Sequence, residues 1–528
     1  MEPTLTCAGD NSDGKNAKIT ATLDEAMLLS GFGIFNIVHM IMSGLMLMGM
    51  ITLSLVLGFV IPAAQCDLEL TMFQKSWLSA IPFAAIIVSS YFWGWIADTK
   101  GRRPSMLVSM VLSIIGTLLT SFAPNLISFA ILQFITGIFT TGPSAIVYTY
   151  LGECNNIRHR DKMVTFGSSF IGLGNVFLPC VAWIILPLDF SYPLDFLDIS
   201  YRSWRLCLVV CSLPYVLASI FLAFALESPK FLYANGKHDE ALEVVKTMYA
   251  VNSRKSRDSF PVKSLIVENQ VTKLNEHKGV RAVFASMKEQ TFPIFTPPLL
   301  QWICLTCFVH FGIFAATNGF YIWFPTILNS LALSDSTNMK ICDVIESQVE
   351  VAAEAITNTT VICDDTIHTS TFEQSIYVSL AFYSMYFIAG ALVDFLGKKL
   401  LLVATLVVTG MCGVGAHLAA DQTAAVILFG IFQMSGACIG LVNAAGVELF
   451  PTKYRAMAIC LSMMVGRTGA VVGSNLIGWF LQVNCGAGFY LFGFLLVVDG
   501  LVCLALPNKK KEKSTPLPES VPRPVQEA

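Results

Sequence analysis

Long apolar runs alternate with short polar segments along most of the chain. The runs are roughly 20 residues long, which is the length that a helix needs to cross the hydrocarbon core of a bilayer. Because backbone polar groups in lipid must be satisfied within the segment, each run is expected to be a helix. The pattern predicts an all-α membrane protein with twelve transmembrane helices, at residues 34–62, 77–97, 105–122, 127–150, 164–187, 204–226, 299–327, 375–396, 399–419, 423–447, 456–484 and 486–506.

The polar segments between these runs divide the chain into domains. Six spans precede a long hydrophilic stretch and six follow it. The stretch contains apolar residues at helical spacing between Asp239 and Tyr249, which predicts a short amphipathic helix. The expected domains are an N-terminal segment 1–33, a six-helix bundle 34–226, a linker 227–298, a second six-helix bundle 299–506 with a long loop 328–374, and a disordered tail 507–528.

The charges of the loops predict the orientation in the membrane. One set of loops carries clustered cations, for example Lys100, Arg102 and Arg103, whereas the loop 328–374 on the other side is acidic. Cationic loops stay on the cytoplasmic side of a membrane, which places this set and both termini in the cytoplasm. The protein is expected in the plasma membrane or in a secretory or synaptic vesicle membrane, and the charge pattern does not distinguish them.

The acidic loop has two further features that suit an outer location. Asn358 begins the sequon Asn-Thr-Thr and is a predicted glycosylation site. Cys342 and Cys363 flank it, and a disulfide between them would close a loop of about 20 residues on the oxidising side. Two free thiols remain an alternative, as do pairings with Cys66 or Cys485, which are also predicted outside.

Composition excludes several classes of function. The chain is 55% hydrophobic and only 13% charged, with a mean hydropathy of +0.65, whereas soluble proteins carry about twice that charge fraction. The net charge of −3 gives no reason to expect a nucleic-acid partner. The sequence lacks a phosphate loop and hydrolase motifs, and its histidines lack metal-ligand spacing. We therefore expect no enzyme activity, no cofactor and no metal site.

Two sequence motifs occur twice, in the same order. The stretch 94–103 returns at 390–399, where Gly, Asp and Gly recur at matching positions and two cations close each copy. Glu153 precedes Arg160 by the same spacing with which Glu448 precedes Arg455. This repetition indicates that the chain consists of two similar bundles of membrane helices.

These motifs resemble those of a known family. The stretch 94–103 and its repeat resemble the loop motif of the major facilitator superfamily, and 227–232 resembles its signature after the sixth span. Further matches resemble the synaptic vesicle glycoprotein 2 group, namely Gly31-Phe32-Gly33, Cys66-Asp67, Tyr91-Phe92-Trp93-Gly94, Ser203-Trp204-Arg205 and 235–241. The resemblance implies the major facilitator fold, in which a pseudo-twofold axis relates two six-helix bundles.

The resemblance also implies a gate at the cytoplasmic side. Each motif aspartate is expected to face a helix N-terminus and a cation, and the Glu153–Arg160 and Glu448–Arg455 pairs could supply matching ion pairs. The alternative is a set of solvated charges at the headgroups. The implied gating residues are Asp98, Arg102, Arg103, Glu153 and Arg160 in the first half and Asp394, Lys398, Lys399, Glu448 and Arg455 in the second.

Transporters of this architecture bind solute near the bilayer midplane, between the halves. Polar and aromatic residues of the fifth, seventh and tenth spans are candidates for this site: Trp183, His310, Thr317, Asn318, Tyr321, Trp323 and Asn443. By resemblance, Trp183 stands at the position of a pocket tryptophan, and His310 and Asn443 stand where the group has a tryptophan and an aspartate. Ordinary packing or an interfacial aromatic belt is the alternative for each residue.

Arg467 is the most unusual candidate, because a guanidinium inside a span requires a partner or water. It is either a counter-ion for an anionic or polar substrate or one partner of an internal salt bridge with Asp499 or Glu448. The first span has no acid between Leu45 and Ser54, and the fourth has Gln133 where the resemblance leads us to expect an arginine. Proton coupling by that route is therefore not expected, which leaves facilitated diffusion or coupling through Glu448 or His310.

The sequence thus predicts a monomeric secondary transporter that moves a small organic solute, such as a sugar, an organic ion or a polyamine, by alternating access. The alternative is a transport-inactive membrane glycoprotein that acts as a regulator or binding partner.

Overall fold

The structure is a computed structural model that describes residues 19–195, 197–266, 292–332, 340–344 and 366–507. It is almost entirely helical. The helices are α1 Leu23–Leu29, α2 Ile34–Leu55, α3 Leu57–Ala63, α4 Met72–Lys100, α5 Arg102–Ser121, α6 Leu126–Glu153, α7 Ile157–Ile185, α8 Ser203–Cys211, α9 Leu213–Phe224, α10 Pro229–Ala234, α11 His238–Ser253, α12 Leu299–Ala332, α13 Thr369–Leu396, α14 Lys398–Leu418, α15 Gln422–Gln433, α16 Cys438–Leu449, α17 Thr452–Val483 and α18 Cys485–Val502.

Four short strands complete the described chain: β1 Ile19–Ala21, β2 Ser191–Leu194, β3 Ile199–Arg202 and β4 Val262–Leu265. β1 pairs in parallel with β4, and β2 pairs antiparallel with β3. Single 3₁₀ turns lie at Arg257–Ser259, Phe292–Phe295, Met434–Ala437 and Cys503–Ala505.

The helices confirm the predicted spans. Eleven helical segments of the described chain are long and apolar enough to cross a bilayer, and α13 occupies the remaining predicted position, the eighth. Three spans are interrupted: α2 continues into α3, α8 into α9, and α15 into α16 through a 3₁₀ turn. The architecture is the twelve-helix major facilitator fold that the motifs imply.

The repeated motif folds into the same turn in both halves. Gly101 ends α4 and begins α5 with φ 110° and ψ 156°, and its N–H donates to Ala97 O at 3.2 Å. Gly397 ends α13 and begins α14 with φ 76° and ψ 154°, and its N–H donates to Val393 O at 3.1 Å. Only glycine adopts this part of φ/ψ space without strain. The duplication read from the sequence is therefore a duplication of backbone geometry.

The two glycine turns lie at the same end of the bundle. Asn329, near the end of α12, donates to Thr366 O just before α13 at 3.1 Å, and Thr326 of α12 lines a small cavity together with Lys75 near the start of α4. The starts of α4 and α13 therefore share one end, and Gly101 and Gly397 share the other. We call the end that carries Lys100–Arg103 and Lys398–Lys399 the basic end.

A small extramembrane unit packs at this end on the first bundle. It consists of the β1–β4 sheet with α1, α10 and α11, and it has a hydrophobic core of its own. The predicted face of α11 is buried there, through Ala241, Leu242, Val245 and Met248. The amphipathic helix expected between 239 and 249 is therefore confirmed, and the N-terminal residues 19–29 form part of the same core.

A chain of amides fastens this unit to the membrane helices. Asn252 of α11 donates to Asn36 Oδ1 of α2 at 3.0 Å, and Asn36 Nδ2 donates to Asn155 Oδ1 at 2.8 Å. Within the unit itself, Lys230 of α10 forms an ion pair with Asp24 of α1 at 2.8 Å. Asn36 and Asn155 are both 1% exposed, so these hydrogen bonds satisfy amides that would be costly to bury alone.

The disulfide prediction is wrong in its pairing. Cys342 is bonded to Cys485 at the start of α18, with a Cα–Cα distance of 5.4 Å and a sequence separation of 143 residues. Both cysteines are buried in the core of the second bundle, because the helical turn at 341–344 packs against this helix end. Cys363 and Asn358 lie outside the described residues, and Cys66 is also disulfide-bonded.

We expect non-reducing peptide mapping to recover a cross-linked pair of peptides that contain Cys342 and Cys485. Replacing Cys485 with serine should free the Cys342 thiol for alkylation and remove the cross-link. It should also destabilise the second bundle by roughly 2–5 kcal/mol, because the bond closes a long loop. Recovery of a Cys342–Cys363 peptide instead would restore the pairing predicted from sequence.

Candidate solute site and gate

Arg102 is the centre of a polar network at the basic end of the first half. Its guanidinium donates to both carboxylate oxygens of Glu153 at 3.2 and 3.3 Å and to Ala97 O at 2.8 Å. It also contacts Asp98 at 3.0 Å and lies 4.9 Å from the centroid of the Phe231 ring. The side chains of Arg102 and Glu153 are only 12% and 15% exposed. This network joins the ends of α4, α5 and α6.

Glu227 supplies the second carboxylate of the network. Its Oε1 accepts from the backbone N–H groups of Arg102, Arg103 and Ser228 at 3.1, 3.2 and 2.8 Å. Ser228 in turn donates to Glu153 Oε2 at 2.6 Å. A carboxylate at the N-terminus of α5 is favoured by the helix dipole and by the free N–H groups there. The signature 227–232 therefore caps the turn that the repeated motif forms.

The structure changes one of the predicted gating contacts. Glu153 pairs with Arg102, not with Arg160, whose guanidinium lies against Gly152 on an exposed surface. Asp98 is paired with Arg102 within the same half, and its side chain is 72% exposed. Arg103 donates to the carbonyls of Leu222 and Ala223 at the end of α9.

The second half is described in less detail at this position. Lys398 and Lys399 are half-buried at the start of α14. The side chains of Asp394, Glu448 and Arg455 are outside the described set. The role of these residues in a gate remains a prediction, supported by the shared glycine turn.

Three of the predicted solute-site residues lie near one another in the second bundle, and one of them contacts the first half. His310 of α12 packs against α17 at Gly466, where an added β-carbon would lie 3.2 Å from His310 Cβ. Asn443 of α16 donates weakly to the sulfur of Met463, one turn before Arg467, at 3.7 Å. His310, Asn443 and Arg467 therefore occupy one level of the second bundle.

Arg467 reaches across to the first half. Its Nη1 donates to Ser90 Oγ of α4 at 2.6 Å, and it interacts electrostatically with Tyr148 of α6. The salt bridge to Asp499 that the sequence allowed does not form. Asp499 is fully buried elsewhere in the second bundle, and no described carboxylate lies within ion-pair distance of Arg467. The described partner of the Arg467 guanidinium is thus the Ser90 hydroxyl, and not the Asp499 carboxylate that the sequence also allowed.

The other two members of this cluster are paired only loosely with each other. Among the described residues, His310 Nε2 and Asn443 Oδ1 are buried without a partner at good hydrogen-bond geometry, and the two side chains lie close enough to interact as a hydrogen-bonding pair. His310 Nδ1 is bonded to Thr306 O at 2.8 Å. Buried polar atoms are rarely left unpaired without a reason. A loosely paired imidazole nitrogen, a loosely paired amide oxygen and a guanidinium together form a polar patch that suits a hydrogen-bonding solute.

Thr317 and Tyr321 lie further along α12, away from the basic end. Thr317 Oγ1 is bonded to Ser435 Oγ at 2.8 Å, and Tyr321 OH donates to Asn175 O of α7 at 3.3 Å. Tyr321 is therefore a direct contact between the halves. The Gln433 amide, oriented with its nitrogen towards Thr317 O at 3.0 Å and its oxygen towards Tyr321 N at 3.2 Å, lies against the α12 backbone between them.

The remaining candidates are placed less favourably for solute contact. Trp323 is 2% exposed, and its Nε1 donates to Ser474 O within the second half at 2.9 Å. Trp183 is 38% exposed near the end of α7, about 12 Å along the helix from Asn175. Asn318 is half-buried and makes no hydrogen bond within the described part of the chain. Contact of Trp183 and Trp323 with a solute therefore stays a prediction.

A small cavity of about 10 Å³ lies within the first half where the sequence lacks an acid and an arginine. Gln133, Thr117, Thr136, Thr140 and Ser54 supply its polar lining, and its other lining residues are apolar or glycine. An uncharged lining offers no group that titrates at ordinary pH.

Comparison with known proteins places this architecture in a family. A family model described as "Sugar (and other) transporter" matches residues 54–356, which is more than half of the chain. The chain belongs to this family. A second model, "Major Facilitator Superfamily", matches residues 351–527 of this family member. The superfamily resemblance read from the motifs is confirmed.

Curated relatives of this sugar transporter family member include two kinds of protein. Synaptic vesicle glycoprotein 2C of Mus musculus is 27% identical over 292 residues, which are 52% of this chain and 40% of that protein. The match thus spans about two-fifths of that relative's length. Organic cation/carnitine transporter 7 of Arabidopsis thaliana is 25% identical over 512 residues, which are 92% of this chain and 93% of that protein.

Solved structures show the same fold as this family member. The xylose transporter XylE from E. coli, in a partially occluded inward open conformation, matches with a TM-score of 0.62 and 14% identity, covering 90% of this chain and 100% of that chain. A second conformation of XylE, inward open, matches with a TM-score of 0.62 and 16% identity, covering 91% and 97%. At this identity the likeness establishes the fold alone.

Several residues around the Arg102 network and the solute cluster were not predicted from the sequence. Glu227 and Ser228 were visible as part of a signature, but the signature alone does not say that their side chains meet Arg102 and Glu153. Ser90 and Gln433 have ordinary neighbours in sequence. Their only signal is a polar residue inside an apolar span, which many packed helices share.

Proposed function

We propose that this protein is a secondary transporter that moves a small organic solute by alternating access. The observation that carries the proposal is the cluster of His310, Asn443 and Arg467, which offers loosely paired polar atoms and a guanidinium that contacts the first half. Arg467 bonds to Ser90 of the opposite half, so rocking of the bundles must break that bond and expose the guanidinium to a new partner. Arg467 supports a solute with an anionic or hydrogen-bond-accepting group, whereas His310 Nε2 and Asn443 Oδ1 are acceptors that support a hydrogen-bond donor on the same solute.

The loop charges support a cytoplasmic location for the basic end and for both termini. The relatives named as synaptic vesicle glycoproteins support a vesicle membrane, and the plasma membrane is the alternative. A monomer suffices for this mechanism, because both halves of the site belong to one chain.

The test is uptake by purified protein in liposomes against a panel of labelled sugars, organic ions and polyamines. For a transported solute, Arg467→Ala combined with Asn443→Ala should weaken apparent affinity roughly tenfold to a hundredfold, because hydrogen bonds to a charged group contribute about 1.5–3 kcal/mol. Thr468→Ala is the matched control, since Thr468 is the next residue but points to an exposed surface. Flux with unchanged concentration dependence in the double variant would remove the proposed site.

A transport-inactive glycoprotein is the competing function, and cysteine probes separate the two. A transporter should expose a cysteine placed at Asn443 to impermeant thiol reagents from each side of the membrane in turn, because its halves alternate. Thr140, in the first-half cavity, provides a second probe position. Access from one side only, at both positions and with the panel present, would favour the static protein.

A further inference from the structure

Asp499 is an acidic residue buried inside the second bundle. It lies in α18 and is 0% exposed, and neither of its carboxylate oxygens has a hydrogen-bond partner among the described residues. The solute cluster described above does not include it. An ionisable residue inside a membrane span is costly and is usually retained for a function.

The packing around Asp499 is specific to its carboxyl group. The carboxyl faces Gly312 of α12, and a β-carbon at position 312 would overlap Oδ2. Glycine at this position leaves the space that the acid occupies. On the other side of α18, Gly500 packs closely against α14, where an added β-carbon would lie 2.8 Å from Val407. Asp499 is thus enclosed at a closely packed junction of helices.

A closed junction in which no described residue supplies a counter-ion favours the neutral carboxylic acid, because burying an unpaired carboxylate costs far more than burying the protonated group. The titratable groups that interact with Asp499 are the thiols of Cys438 on α16 and Cys503 at the end of α18. No charged side chain of the described α12, α14 or α17 faces it. Ionisation therefore requires the junction between α12 and α18 to open to water.

The helix on which Asp499 packs is the one that meets the opposite half. Tyr321 of α12 bonds to Asn175 of α7, and Ile322 packs against Gly58 of α3. Separation of the halves breaks these contacts of α12, and any shift of α12 relative to α18 that accompanies it changes the space that Gly312 leaves for the Asp499 carboxyl. This connects the protonation of one buried group to the conformation of the whole transporter.

We propose that Asp499 is a proton-binding site whose occupancy is coupled to the conformational exchange of the transporter. The protonated acid fits the closed junction with Gly312, and loss of the proton favours a state in which α12 has moved and water reaches the carboxylate. By linkage, a transmembrane proton gradient biases the exchange. This inference rests on the proposed transport function, and it makes the proton the coupling ion by a route separate from the solute cluster.

The experiment needs no solute. Spin labels at Lys162→Cys on α7 and Leu400→Cys on α14, both exposed positions near the basic end of opposite halves, report the distance between the bundles as pH is varied. We expect the distance distribution to change with pH in the parent protein. Asp499→Asn, which resembles the protonated acid in shape, should hold the low-pH distribution at every pH. The matched control Asp421→Asn, at an exposed helix cap that asparagine also suits, should keep the pH response.

Infrared spectroscopy of the parent protein provides a second measurement. The carboxylic-acid C=O band should disappear over the same pH range in which the label distance changes, and Asp499→Asn should lack that band. If the Asn variant does not fold, agreement of the two titrations in the parent protein decides the matter. A pH response that persists in Asp499→Asn, or a parent protein without a pH response, would overturn the proposal. A pH-driven distance change without uptake of any panel solute would leave this proton site standing and contradict only the transport function.

Discussion

Replacing Arg102 with alanine is expected to lower the free energy of unfolding by roughly 3–5 kcal/mol, the typical cost of removing one partner of a buried ion pair. The reason is the environment of Glu153, which is 15% exposed and would retain only the Ser228 hydroxyl as a described partner. The carbonyl of Ala97 and the Phe231 ring would lose contacts as well. Thermal denaturation of the purified protein in detergent measures the change.

Arg160→Ala is the control, because it distinguishes the Glu153–Arg102 pair of the structure from the Glu153–Arg160 pair predicted from the sequence. Arg160 lies on an exposed surface beside Gly152, and surface charges contribute about 0–1 kcal/mol. We therefore expect little change in the melting temperature of this variant. Comparable destabilisation by the two alanine substitutions would mean that Glu153 is shared between both arginines and would contradict the network centred on Arg102.

Gly101→Ala is expected to be the next most damaging change. The backbone at Gly101 has φ 110° and ψ 156°, a region that costs a residue with a side chain about 1–3 kcal/mol. In addition, the new methyl group would overlap the Glu227 carboxylate and displace it from the N–H groups of Arg102 and Arg103. Reduced yield of folded protein and a lower melting temperature are the expected results.

Gly397→Ala isolates the two causes. Gly397 has φ 76° and ψ 154°, so it carries similar backbone strain, but a β-carbon there would have no neighbour within 4 Å. Destabilisation should therefore be smaller than at Gly101, by the amount that the Glu227 cap contributes. Equal effects at the two positions would show that the cap at Glu227 adds no stability.

The membrane spans and the internal duplication could be predicted from the sequence alone. A continuous apolar run of this length crosses lipid as an α-helix. The glycines at 101 and 397 have positive φ, a backbone conformation that is strained for residues with a side chain. These features are local, so they are visible along the chain. The amphipathic face of α11 was visible for the same reason.

Pairings between distant residues could not be predicted in the same way. Glu153 had cations available at Arg102 and Arg160, and only the packed ends of α5, α6 and α7 decide between them. Cys342 is close in sequence to Cys363 but close in space to Cys485. Arg467 was predicted to need a partner, yet the partner is a serine of the other half, for which sequence spacing provides no signal. The solute cluster was therefore predictable as a set of candidates but not as a geometry.

The amide chain from Asn252 to Asn155 and the Ser228–Glu153 bond have a mechanical consequence. They attach the β1–β4 unit to the first bundle at separate points. The unit and the first bundle should therefore move together as one rigid body. A fluorophore carried on α11 would therefore report where the first bundle goes, from a position outside the lipid and remote from the solute path.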